Sequence, residues 1–72
     1  MITHKFGERI MLIKKERNLT YKELCEITKV PKATMMSYTT QGQEPRAISI
    51  MMIAKGLGVS ADWLLGLTDE RN

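Results

Sequence analysis

Apolar residues recur every three or four positions along most of this chain, the spacing that gathers them on one face of an α-helix. The first run predicts a helix from about His4 to Arg17, with Phe6, Ile10, Ile13 and the aliphatic stem of Arg17 on one face. Thr3 is its expected N-cap, Lys14 and Lys15 suit the negative end of its dipole, and Asn18 suits a left-handed residue just beyond it. A second helix, Tyr21–Thr28, turns Leu24 and Ile27 inward, with Cys25 beside them where a small residue lets two helices approach. A third, Lys32–Thr40, turns Met35 and Tyr38 inward and leaves Lys32, Ala33, Met36, Ser37 and Thr40 on the other face. After a loop at 41–45 that carries Gly and Pro, a fourth helix spans Ala47–Leu57, with Ala47, Ile50, Met51, Ala54 and Leu57 as its inward stripe. Gly58 ends it, Ser60 caps a short fifth helix at Ala61–Leu65, and Gly66 ends that one. Val59, Trp63 and Leu64 complete the expected core. The fold class is therefore all-α, one domain over 1–66 with a short flexible tail at 67–72. No strand alternation, repeat or low-complexity run interrupts the pattern.

The junction of the second and third helices is the most strongly marked part of the chain. Thr20 and Glu23 make a Thr-x-x-Glu capping box, which satisfies two orphan N–H groups where the second helix starts. Pro31 disfavours helical geometry at Val30, and its fixed φ suits the opening of a new helix. Two short helices on so tight a link fit a helix-turn-helix, whose second helix can enter a DNA major groove.

Charge supports that placement. The net charge is +3 over 72 residues, but residues 1–58 hold ten Lys/Arg against five Asp/Glu, whereas the last fourteen hold Arg71 against Asp62, Asp69 and Glu70. The basic part coincides with the helix pair, as expected of a nucleic-acid binder, although a surplus of this size is also common on ordinary surfaces. With one cysteine and one histidine, neither an internal disulfide nor a four-ligand zinc site can form, so no metal or cofactor is expected. Cys25 reads as a small buried hydrophobe rather than a reactive thiol. No apolar run reaches the ~18–20 residues that span a membrane and no signal peptide is visible, which points to the cytoplasm. Paired carboxylates and glycine-rich phosphate loops are absent from the sequence, so an enzyme is not expected.

Several strings then carry a family likeness. The capping-box helix, Val30-Pro31-Lys32-Ala33-Thr34-Met35, Tyr38, the Glu44-Pro45 pair and above all Leu57-Gly58-Val59-Ser60-Ala61-Asp62-Trp63-Leu64-Leu65-Gly66 resemble the phage-repressor and Cro type of helix-turn-helix, also called the XRE family. The resemblance covers about residues 6–66. It implies a five-helix lambda-repressor-like domain that binds double-stranded operator DNA as a homodimer. Four positions depart from the family's habit: Tyr21 stands where Gln is frequent, Lys29 where the turn often has Gly, Thr39 where Glu is common, and the loop glycine is displaced to Gly42. A non-Gly residue in a left-handed turn costs on the order of 1 kcal/mol, so the turn at Lys29 is expected to differ in shape from the family's.

Matching positions in the family imply Lys32, Ala33 and Ser37 as base contacts, Lys32 to guanine O6/N7, Ala33 to a thymine methyl and Ser37 as a weak discriminator, and Met36 beside them is expected to add an apolar contact. Thr20, Tyr21, Thr40, Gln41, Gln43 and Arg46 are the phosphate candidates. Three have a plainer alternative: a solvated lysine at a helix start for Lys32, a core or dimer residue for Met36, surface packing for Tyr21. A face poor in Gln, Asn and Arg predicts weak intrinsic discrimination, supplemented by DNA shape and dimer spacing. Met11, Leu12, Ile48 and Met52 fall where a helical wheel puts solvent, and they form either scattered surface hydrophobes or a partner surface. The family likeness adds Trp63, Leu65 and Leu67 as a dimer surface. Two functions remain in competition: a small Cro-like or repressor-type transcriptional regulator of phage, prophage or bacterial kind, and a protein-binding module on the same fold, antirepressor or antitoxin-like. The length given leaves no room for a ligand-sensing second domain, so regulation is expected through dimerisation, a partner or abundance.

Overall fold

A computed structural model describes the backbone of residues 3–72 and the side chains from Lys5 onward; the Thr3 cap and His4 lie outside the described side chains. The described residues form five helices and no strand: α1 Thr3–Glu16, α2 Tyr21–Thr28, α3 Lys32–Thr39, α4 Ala47–Leu57 and α5 Ala61–Leu65. α1 lies against α3 and α5, α2 against α3 and α4, and α4 against α5. One core draws on every helix: Phe6, Ile10 and Ile13 from α1, Leu24 from α2, Met35 and Tyr38 from α3, Ile53 and Leu57 from α4, Trp63 and Leu64 from α5. Phe6 meets Tyr38 edge to face, with ring centroids 5.5 Å apart and planes at 79°, a favoured aromatic arrangement.

The local signals work as their chemistry requires. Thr20 Oγ1 accepts from the Glu23 N–H at 3.1 Å while Glu23 Oε1 accepts from the Thr20 N–H at 2.9 Å, so the capping box is closed. Asn18 takes φ 56° after α1, and the left-handed Gly58 and Gly66 end α4 and α5. Lys29 is left-handed as well, at φ 62° and ψ 26°, and its N–H reaches the Cys25 carbonyl at 2.7 Å. The turn thus keeps the shape that favours glycine, against the expectation that a lysine would reshape it. The hydrogen bond that closes α2 and the burial of the neighbouring Val30 hold it there.

Four expected inward residues point elsewhere. Ile27 is 42% exposed, and its place is taken by the buried Thr28, whose hydroxyl donates to the Leu24 carbonyl at 2.8 Å. The reason is the crossing of α2 over α4 at Gly56. A Cβ there would stand 2.8 Å from the Ile27 carbonyl oxygen and 2.9 Å from Thr28 Cα. That backbone approach rolls the Leu24–Thr28 edge inward, and it falls at Gly56 rather than at the half-buried Cys25. Gly7 makes the matching approach of α1 to α3, against the Tyr38 carbonyl. On α4 the buried stripe is Ser49, Ile53, Ala54 and Leu57, while Ala47 is exposed and Met51 is 64% exposed. α4 is apolar almost all round, so periodicity cannot choose its face, and the polar Ser49 goes inward because Tyr38's hydroxyl donates to it at 2.9 Å. Arg17 is exposed rather than laid along the core face of α1.

The segment 67–72 runs back along α1. Arg9 Nη1 donates to the carbonyls of Trp63 at 2.7 Å and Thr68 at 2.8 Å, and Arg71 grips Glu16 through two bonds of 2.6 and 2.7 Å. Both guanidinium groups stand over the Trp63 indole, at 4.9 Å for Arg9 and 4.8 Å for Arg71.

Candidate nucleic-acid interface

α2, the three-residue link and α3 form a helix-turn-helix whose second helix keeps one side open. Lys32, Ala33 and Thr40 are exposed, and Met36 and Ser37 are half-buried along the same strip. Their partners limit what each can offer. The Ser37 hydroxyl donates to the Thr34 carbonyl at 2.7 Å and the Thr40 hydroxyl to the Met36 carbonyl at 2.6 Å, so each presents lone pairs outward rather than its proton. Thr20 Oγ1 is engaged in the cap. Tyr21 is half-buried, with its hydroxyl 3.0 Å from Thr39 Oγ1.

Between α3 and the start of α4 lies a groove of about 510 Å³. It gathers Ala33 and Ser37, two of the expected base contacts, with Gln43 and Arg46, two of the expected phosphate contacts, and adds Lys29 from the turn. The Gln43 N–H donates to the Ser37 carbonyl at 3.1 Å, which ties the following loop to α3. Lys32, Met36, Thr20, Tyr21, Thr40 and Gln41 lie outside this lining. Among the described residues the ion pairs are Arg9–Asp69 and Arg71–Glu16, both on the α1 and tail side. Lys29, Lys32 and Arg46 belong to neither, and the groove lining carries Lys29 and Arg46 against one carboxylate, Glu44. Lys29 was expected only as a turn residue, and its neighbourhood to the groove is set by the fold, which no local spacing reports.

Burial raises the Cys25 thiol above its ordinary pKa, and the nearby Lys32 charge opposes that only partly. The thiol therefore stays protonated at neutral pH, in keeping with a packing role.

The partner-surface residues separate. Ile48 is 56% exposed and Leu12 42% exposed, whereas Met11 and Met52 are half-buried and Met52 packs against the core. Ile48 and Met52 also border the groove. Leu67 is 64% exposed and Leu65 half-buried, but Trp63 retains only 4% of its surface. Trp63 is thus a core residue flanked by two arginines. None of the described helices is long and apolar enough to cross a membrane.

The chain is similar to YobD of Bacillus subtilis (strain 168), described as an uncharacterized HTH-type transcriptional regulator, with 29% identity over 65 residues. The match takes in 90% of this chain and 58% of the length of YobD. No protein-family model and no solved structure matches the chain. The likeness to a helix-turn-helix regulator agrees with the five-helix architecture and with the helix pair at residues 21–39.

Proposed function

We propose that this domain is a DNA-binding transcriptional regulator of the Cro or small-repressor type, which lays α3 in the major groove of operator DNA as a homodimer. The observation that carries this reading is the grouping of Ala33, Ser37, Gln43, Arg46 and Lys29 around one groove beside the open face of α3. Lys32 and Ala33 enter first and meet base edges, Met36 and Ser37 follow, and Arg46, Lys29 and Gln43 hold phosphates on the groove's flank, with Thr40 and Gln41 beyond them. Leu67 and Leu65 supply the contact between two copies, whose reading helices then address half-sites about 34 Å apart. The regulator described for YobD supports the same class.

Fluorescence anisotropy with random-sequence duplex tests the electrostatic half of this reading. Affinity is expected to fall steeply between about 50 and 200 mM salt, with a log–log slope reduced by about one in Arg46→Ala. A slope unchanged by that substitution would take Arg46 off the phosphate.

The exposure of Ile48 and Met51 on α4 favours a second reading, a protein-binding module on the same fold. Met51→Glu separates the two, because Met51 is outside the core and outside the groove. A regulator keeps its DNA affinity in that variant. A partner-binding module has weak DNA affinity even at low salt and loses its partner.

A further inference from the structure

A helix that offers one face to a ligand has to be held from its other sides. α3 has eight residues and begins at Pro31 with no side-chain cap. Two of its side chains, Met35 and Tyr38, are buried, and the Tyr38 hydroxyl ties it to Ser49 of α4. Its last turn is reached from α2. The Tyr21 hydroxyl stands 3.0 Å from Thr39 Oγ1 and 3.5 Å from Met11 Sδ of α1, with Lys14 Nζ 4.9 Å from the centre of the Tyr21 ring.

Thr39 Oγ1 also lies 3.1 Å from the Met35 carbonyl oxygen of its own helix, so the contact joins α2 to the backbone of α3, with either hydroxyl able to supply the proton between Tyr21 and Thr39.

We infer that Tyr21 is a positioning residue: its hydroxyl, hydrogen-bonded to Thr39 Oγ1, fixes the last turn of α3 against α2 and so sets the pose of the reading face. The consequence for binding rests on the DNA-reading function proposed above; the tie itself does not. Without the hydroxyl, the last turn of α3 loosens, and with it the Thr40 N–H to Met36 bond and the Gln43 N–H to Ser37 bond. Bases are then met by a less ordered helix, while phosphates, which carry no sequence information, are met as before.

The test uses Tyr21→Phe, Thr39→Val, their double variant, and Thr39→Ser. Amide hydrogen exchange is followed at Thr40 and Gln43, with Leu64 in α5 as the reference, and anisotropy measures a preferred and a random duplex. Tyr21→Phe is expected to speed exchange at Thr40 and Gln43 about fivefold relative to Leu64, Thr39→Val to do the same, and the double variant to add nothing further. Thr39→Ser restores the wild-type rates. The preferred duplex binds Tyr21→Phe about fivefold more weakly and the random duplex equally well. Unchanged exchange, additive single effects, or equal weakening of both duplexes each overturns the proposal, the last by putting Tyr21 on a phosphate. A wild-type protein that prefers no duplex removes the DNA reading, and the exchange arm still decides whether the tie exists.

Discussion

Lys29 shows how much a single backbone angle decides. At φ 62° it occupies a region that disfavours any side chain bearing a Cβ, yet the turn between α2 and α3 depends on it. Lys29→Gly is therefore expected to raise stability by about 1 kcal/mol, read as a higher urea midpoint with unchanged slope. The same change removes a cation from the rim of the groove, so affinity for random duplex should fall while stability rises. A variant no more stable than the parent would mean that the lysine side chain compensates the turn. At this scale the sequence was readable wherever the chemistry is local. The capping box, Asn18, Gly58 and Gly66 each act within one turn and sit where their residue types predict. Thr28 and Ser49 were not readable, because a buried hydroxyl is tolerated only once its acceptor or donor is known.

At the scale of elements, helix bounds followed from periodicity and caps to within a residue, while the inward faces of α2 and α4 did not. The face of α2 is set by a backbone crossing at Gly56, and α4 is apolar on too many sides for spacing to choose. The return of the tail along α1 rests on contacts over fifty residues apart, Arg9 with Thr68 and Arg71 with Glu16, which local pattern cannot report. The Glu16 carboxyl lies below its ordinary range, chiefly because Arg71 hydrogen-bonds it, and Arg71 is raised by the same contact. A carboxylate with a depressed folded pKa adds stability that is present above its unfolded pKa and is lost as pH falls through the folded one. The tail tie is thus intact at neutral pH and opens on acidification below the usual carboxylate range. Trp63 fluorescence should report it, since Arg71 stands 4.8 Å over the ring, and the acid step should vanish in Glu16→Gln. A step that survives in Glu16→Gln would show that the Arg71–Glu16 pair is not its source.

Over the whole molecule, the fold sorts charge in a way that composition only hints at. The tail pairs take up Glu16 and Asp69 beside α1, and Lys29, Lys32 and Arg46 are left outside them near the open face of α3. The candidate site was therefore half legible. The outward strip of α3 follows from helical spacing, but the groove that joins Ala33 and Ser37 to Arg46 and Lys29 exists only once α3 and α4 are packed. Trp63, expected at a dimer surface, is enclosed by two arginines and the core. The proposed function requires that the open face of α3 read DNA, with Lys32 first among its base contacts. Selection of bound duplexes from a random pool, run on the wild type and on Lys32→Ala at two salt concentrations, tests it most directly. The expected motif has a half-site with a guanine that Lys32→Ala relaxes by about 1–3 kcal/mol, with the other positions retained. The same motif from both proteins, or no motif at either salt concentration, would contradict it.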